Sequence, residues 1–312
     1  ISVFSAFFAL YIYGNYTINK NKIFIGEIDE KFNVQVVSPN FEIKYNLSDN
    51  QIQDRLNKLI RYSQPNKNLK TLFVWPEGAF SGYSYENISF LKKSFSQHFS
   101  ENHYIIFGIN RYDNKKKGFY NSLLVVNNKL EIISEYKKQK LVPFGEFIPF
   151  EKKLNKFGIK KITEGYGSFL KGEGEKNLVF EGLNILPLIC YEIIFTEFVQ
   201  RSDQKTNLII NISEDGWFGD SIGPYQHSIK GVYRSIERNS YFIRSANKGV
   251  SMIVNNKGEI IKKLNPKEKG SISLEVPLIK SNSRVKNDLI FFVLLITYIF
   301  IFTLYKKNNV KK

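Results

Sequence analysis

The 312-residue chain holds one cysteine, one methionine, two tryptophans and three histidines. A single thiol excludes an internal disulfide, so Cys190 either fills a core as a small hydrophobe or does chemistry. The scarcity of histidine narrows the choice of proton acceptor for such a thiol. His98, His103 and His227 lie in polar or mixed contexts, and none has an evident carboxylate orienter in the sequence. Acidic residues are in deficit, 29 against 45 Lys plus Arg, for a net charge of +16. That surplus does not imply a nucleic acid. Only eight of the 45 are Arg, the Lys residues are spread along the chain, and no nucleic-acid-binding motif is present. A basic face toward anionic lipid headgroups is the alternative to a merely solvated surface. With no internal repeat and no long low-complexity linker, the length fits one large α/β domain of roughly 250 residues or two smaller ones.

What is present centres on Cys190, which ends the apolar run 183–190 immediately before Tyr191-Glu192. A cysteine attacks carbonyl carbon as the thiolate, and needs a proton acceptor plus a cation or dipoles for the developing oxyanion. Glu77 is the better base candidate, because residues 72–75 read as a strand buried on both faces and Pro76 ends it, leaving the carboxylate at a strand tip. Lys138 supplies a positive charge, and the backbone N–H of Tyr191, one residue past the nucleophile, supplies a second donor. Lys137, Lys138 and Lys140 alone would read as a solvated basic run. The apolar stretch that follows, with Pro143 and Gly145 leading to Glu146, reads instead as a tight, packed turn.

The order Glu, Lys, Cys, each at the end of an apolar stretch, resembles the nitrilase superfamily of carbon-nitrogen hydrolases. Longer strings narrow the likeness: Trp75-Pro76-Glu77-Gly78, the run 136–149, Ile189-Cys190-Tyr191-Glu192-Ile193 and the run 211–227. Together they resemble the apolipoprotein N-acyltransferases, bacterial membrane enzymes that add the third acyl chain to lipoproteins. The likeness extends from about Val34 to the C-terminus. It implies a catalytic set of Glu77, Lys138 and Cys190, a supporting Glu146, and Tyr191 and Glu192 as the residues that follow the nucleophile. It implies no metal and no cofactor. Two positions depart from the family pattern: Tyr45 where Trp is frequent, and Glu214 where Asn is common.

The residues predict strands at 34–37, 71–75, 104–109, 122–126, 186–190 and 207–212, helices at 46–63, 90–98 and 225–239, and a hairpin formed by 252–254 and 259–264. Alternating strands and helices imply sheets covered by helices. The resemblance sharpens this to an α/β, nitrilase-like four-layer α-β-β-α sandwich flanked by transmembrane helices. Residues 1–18, apolar and without an initiating Met or a basic n-region, are expected to be the end of a transmembrane helix, in a fragment whose earlier spans are missing. A catalytic domain is expected at 19–280. Its segment 150–179, rich in Lys and Gly with apolar residues such as Phe157, Phe169 and Leu170, is expected to form a lid. The uncharged run 289–305 is expected to span the membrane as a helix, followed by a basic cytoplasmic tail at 306–312, which places the domain on the periplasmic side of the bacterial inner membrane.

The function that follows is an N-acyltransferase, expected to be monomeric. It would take an acyl chain from a phospholipid through a Cys190 thioester and deliver it to the N-terminal amine of a diacylated apolipoprotein. The alternatives are a nitrilase-type amidase acting on a small amide and a membrane-tethered binding domain without catalysis.

Overall fold

The structure, a computed structural model, describes residues 2–20, 28–149, 168–174, 177–201, 205–279 and 288–309. Residues 150–167, most of the expected lid, lie outside them. The chain divides into two units, Ile1–Asn282 and Ser283–Lys312.

The first unit begins with helix α1 (Ser2–Lys20), followed by β1 (Ile28–Ser38) and α2 (Asp49–Ser63). Ser48 caps α2 in a capping box with Gln51, and Ile52, Leu56, Leu59 and Ile60 recur at helical spacing on its buried face. Next come β2 (Thr71–Val74), α3 (Lys92–His98), β3 (His103–Asp113), β4 (Gly118–Val126) and β5 (Ile132–Lys137). The remainder is β6 (Leu178–Phe180), β7 (Leu183–Ile189), α4 (Thr196–Arg201), β8 (Leu208–Glu214), α5 (Gly223–Arg238), β9 (Tyr241–Asn247), β10 (Ser251–Val254), β11 (Ile260–Leu264) and β12 (Gly270–Ile279).

The strands form two six-stranded sheets, ordered β12-β1-β2-β3-β4-β5 and β11-β10-β9-β8-β7-β6. In each, three central strands run parallel, β1-β2-β3 and β7-β8-β9. Parallel strands covered on both faces read as continuous apolar runs, which makes most of them visible in the sequence. The two-residue alternation then sorts their side chains. Val34, Val36, Leu72, Val74 and Ile106 of one sheet meet Ile185, Ile189, Leu208, Ile210 and Ile212 of the other in a shared core. Phe73, Ile105 and Phe107 turn outward toward Leu56 and Leu59 of α2, and toward Phe95 and Phe99 in and just after α3. Leu186, Leu188, Ile209 and Phe242 turn outward toward Phe198 and Val199 of α4. The result is helix, sheet, sheet, helix, the expected four-layer sandwich.

The second unit contains α6 (Asp288–Asn309), 22 residues long. Among the residues whose side chains are described, no helix is long and apolar enough to cross a membrane. The structure therefore supplies terminal helices where spans were expected at 1–18 and 289–305, but not the spans themselves.

Candidate active site

Glu77 follows β2 of the first sheet, and Cys190 follows β7 of the second. The parallel strands end side by side, so the loops leaving them converge between the sheets. Gly108 on β3 makes room for Glu77: a Cβ there would stand 2.9 Å from the Glu77 Cα. Both Glu77 carboxylate oxygens accept hydrogen bonds, Oε1 from Asn121 Nδ2 at 2.7 Å and Oε2 from the Glu214 N–H at 3.0 Å.

Lys138 leaves the end of β5 with its side chain 1% exposed. Its Nζ lies 2.9 Å from Glu146 Oε1 and 3.8 Å from Glu77 Oε1. Burial works against the charged ammonium, but the Glu146 and Glu77 carboxylates outweigh it and hold the pKa above the ordinary lysine value. Glu146 is fixed in turn by the tight turn expected from Pro143 and Gly145. Its Oε2 accepts from the Val142 N–H at 2.9 Å, and its own N–H donates to the Val142 carbonyl at 2.8 Å. Asn121 Nδ2 also donates to Glu146 Oε1 at 2.8 Å, so one amide ties the two glutamates together.

Cys190 opens a tight turn, Cys190–Ile194, with φ +48°. A left-handed conformation at a residue other than glycine costs on the order of 1 kcal/mol or more and marks a place where the surroundings dictate the backbone. Burial pushes the thiol up to about 12, with the Glu77 charge adding to the rise and Lys138 opposing it. The resting residue is thus a neutral thiol.

Glu192, fully buried, fastens the Lys138 loop to the Cys190 turn. Its Oε1 accepts from the Tyr136 hydroxyl at 2.9 Å and from the Gln139 and Lys140 N–H groups at 2.7 and 3.0 Å, while Oε2 accepts from the Ile189 N–H at 2.9 Å. Burial pushes it up to about 7, against the pull of those backbone donors. Glu214 is pushed up to about 8, again chiefly by burial, with Asn247 and the Gly216 N–H opposing. A carboxyl whose folded pKa is raised contributes stability that is complete below its unfolded value and is lost as pH rises through the folded value. Thermal stability is therefore expected to fall between about pH 4.5 and about pH 8. A flat or rising profile of melting temperature against pH would show that both groups are held ionised.

Of the six expected residues, Glu77, Lys138, Cys190, Glu146 and Glu192 come together here, and Tyr191 follows Cys190 in its turn with its ring against Phe195. Tyr45, one of the two departures, stacks on Trp217 with ring centroids 6.3 Å apart. Glu214, the other, presents its N–H to Glu77. Of the expected lid, Phe169 and Leu170 are described: their N–H groups donate to the carbonyls of Glu146 and Phe119. Gly172 lies against the chain at Lys138, its N–H 2.8 Å from the Lys138 carbonyl, and a Cβ there would meet the Lys137 carbonyl oxygen at 2.1 Å.

The histidines resolve differently from their sequence contexts. His98 is exposed, with Nδ1 against the Ser94 carbonyl, and His103 is buried, with Nε2 against the Asn66 carbonyl. His227 does have a carboxylate orienter, Asp215, 2.9 Å from Nδ1, and its Nε2 meets the Cys190 carbonyl at 3.2 Å. Asp215 is paired with Arg244 at 2.7 Å, both side chains fully buried. Burial works to raise the Asp215 pKa, but Arg244 and His227 carry it down to about 2. The sequence does not single out Asn121, Ser213, Asp215 or Arg244. The available signal is polarity inside otherwise apolar strands, at Asn121 in β4 and Arg244 in β9.

Glu77, buried Lys138 and Cys190 thus come together where the two sheets meet. The carbon-nitrogen hydrolase family matches residues 45–282, and the chain belongs to that family. Among curated proteins it is similar to an apolipoprotein N-acyltransferase of Rhizobium leguminosarum bv. trifolii, 38% identical over 210 residues, which cover 66% of this chain and 39% of that protein. An apolipoprotein N-acyltransferase of Rickettsia typhi is 38% identical over 196 residues, 61% of this chain and 38% of that protein. The chain thus spans well under half the length of these relatives. Among solved structures, Saccharomyces cerevisiae Nit3, a member of branch 10 of the nitrilase superfamily, aligns with a TM-score of 0.59 at 18% identity over 81% of this chain and 92% of its own. An amidase from Nesterenkonia sp. gives a TM-score of 0.59 at 15% identity over 83% and 95%. These two likenesses concern the fold.

Proposed function

We propose that this protein is an apolipoprotein N-acyltransferase that works through a Cys190 thioester. The observation that carries the reading is the convergence of Glu77, Lys138 and Cys190, with Lys138 buried between two glutamates. Glu77 takes the Cys190 proton as sulfur attacks the ester carbonyl of a phospholipid. Lys138 and the Tyr191 N–H hold the oxyanion, and the lysophospholipid leaves with the proton returned from Glu77. The α-amino group of a diacylated apolipoprotein then attacks the thioester and gives up a proton to Glu77; the amide forms as the C–S bond breaks, and the proton returns to the Cys190 sulfur. Support for a nucleophilic thiol comes from a mutant of the Nesterenkonia amidase in which the acetamide moiety of fluoroacetamide is covalently added at the active-site cysteine. Support for the acyl acceptor comes from the names of the curated relatives.

A membrane setting follows from the same reading. The uncharged run 289–305 would anchor the chain as a spanning helix, with Lys306 and Lys307 at the cytoplasmic interface and the catalytic domain on the periplasmic side of the inner membrane. Near the nucleophile, Trp217, Phe218, Ile222, Tyr225 and Ile229 are exposed large apolar residues, and Phe218 packs its ring 5.6 Å from that of His227. Rings with an apolar body and a polar tip suit the membrane–water boundary. The two tryptophans make this testable, because Trp75 is 0% exposed and Trp217 is 49% exposed. Brominated phosphatidylcholine in the bilayer should quench Trp217 emission, and Trp217→Phe should remove the quenchable component. Emission insensitive to brominated lipid would place Trp217 away from the bilayer.

The deciding experiment is intact-mass analysis after incubation with phospholipid, with a single added acyl chain on Cys190 as the expected product. An amidase would instead release free acid from small amides and retain no lipid-derived chain.

A further inference from the structure

We propose that His227 is a positioning residue that sets the peptide plane between Cys190 and Tyr191, and through it aims the Tyr191 N–H at the substrate oxygen. This rests on the reading of Cys190 as an acylated nucleophile.

The C=O of Cys190 and the N–H of Tyr191 belong to one planar trans peptide, so they point in opposite directions and turn together. Tyr191 is the second residue of the tight turn Cys190–Ile194, and the proposed function makes its N–H a donor to the oxyanion. The other end of the same peptide is held. His227 Nε2 lies 3.2 Å from the Cys190 carbonyl oxygen. That oxygen only accepts, so in this contact Nε2 is the donor.

The imidazole is itself constrained from several sides. Its Nδ1 lies 2.9 Å from Asp215 Oδ1 and 3.1 Å from Arg244 Nη2, and the Phe218 ring packs edge-on against it. Asp215 is anchored by two contacts from Arg244 Nη2, at 2.9 and 2.7 Å. The Ser213 hydroxyl donates to Asp215 Oδ1 at 2.7 Å. One buried carboxylate, held by Arg244 and Ser213, thus reaches the Cys190 carbonyl through His227. The left-handed φ of +48° at Cys190 requires such an outside restraint, because an unconstrained cysteine would leave that conformation.

The test compares two side chains of similar length in the full chain, His227→Gln, which keeps an N–H donor for the carbonyl, and His227→Met, which does not. Acylation is followed by the burst of p-nitrophenol from a p-nitrophenyl ester, and alkylation of Cys190 by iodoacetamide is followed by intact mass. Attack on the ester develops an oxyanion and alkylation does not. The expected result is a burst rate at least about tenfold slower in His227→Met, the lower end of what losing an aimed oxyanion donor costs. Alkylation should stay close to that of the parent chain, and the burst should be largely recovered in His227→Gln. Equal burst rates in the two variants, or a parallel fall in burst and alkylation, would overturn the proposal. A parent chain that gives the ester burst but gains no acyl chain from phospholipid would overturn the lipid reading and leave His227's role standing.

Discussion

Replacing Cys190 by serine is expected to abolish the acyl-enzyme: no added mass after incubation with phospholipid, and loss of turnover below detection. The reason lies in proton affinity. The buried thiol already sits at about 12, and a carboxylate can take its proton only as the bond to carbon forms. A serine hydroxyl is a far weaker acid than a thiol, so the same base cannot generate the alkoxide. The swap leaves the backbone unchanged, so a melting temperature close to that of the parent chain is expected beside the lost chemistry. An acyl adduct persisting in Cys190→Ser would place the nucleophile elsewhere.

The second large effect is expected at the charged pair facing the thiol. Glu77→Gln should slow acylation by about a hundredfold or more, the range for loss of a general base. Some stability should also be lost, because both Glu77 oxygens accept hydrogen bonds, from Asn121 and from the Glu214 N–H. An amide can offer only one oxygen, so one donor faces another donor in either orientation. Lys138→Met should match that loss of rate, by removing the oxyanion's cation. It should also destabilise the fold more than Glu77→Gln does. It leaves the Glu146 carboxylate without its ammonium, and breaking a buried pair by removing one partner costs about 3–5 kcal/mol. Single-turnover acylation and thermal melting together separate the two effects. Near-parent acylation in either variant would make that residue structural.

Most central strands are legible because burial on both faces leaves an uninterrupted apolar run. The predicted strand at 71–75 and β2, Thr71–Val74, differ by one residue. β9 is not legible, although it is central, because Arg244, Ser245 and Asn247 are buried polar residues within it. The polar network that supports the nucleophile erases the signal on which strand recognition depends. β12 escapes for another reason. It is an edge strand paired with β1, and no residue in its first half is fully buried, so its period of two is diluted by lysine-rich surroundings. Glu77, Lys138 and Cys190 can be found because each interrupts or follows an apolar stretch. His227 and Asp215 cannot be paired, since nothing local marks a carboxylate twelve residues before a histidine as its neighbour. Only the fold brings the end of β8 beneath the first turns of α5.

The division of the site between two sheets makes catalysis a gauge of how the halves of the sandwich register. Glu77 and Lys138 follow strands β2 and β5 of one sheet, and Cys190 follows β7 of the other. A slide of one sheet over the other by a fraction of a side chain would leave every strand intact and every core residue covered, yet part the sulfur from its proton acceptor. Cavity-forming substitutions in the shared core, such as Val74→Ala or Ile210→Ala, can therefore silence the enzyme before they unfold it, at positions that never approach a substrate.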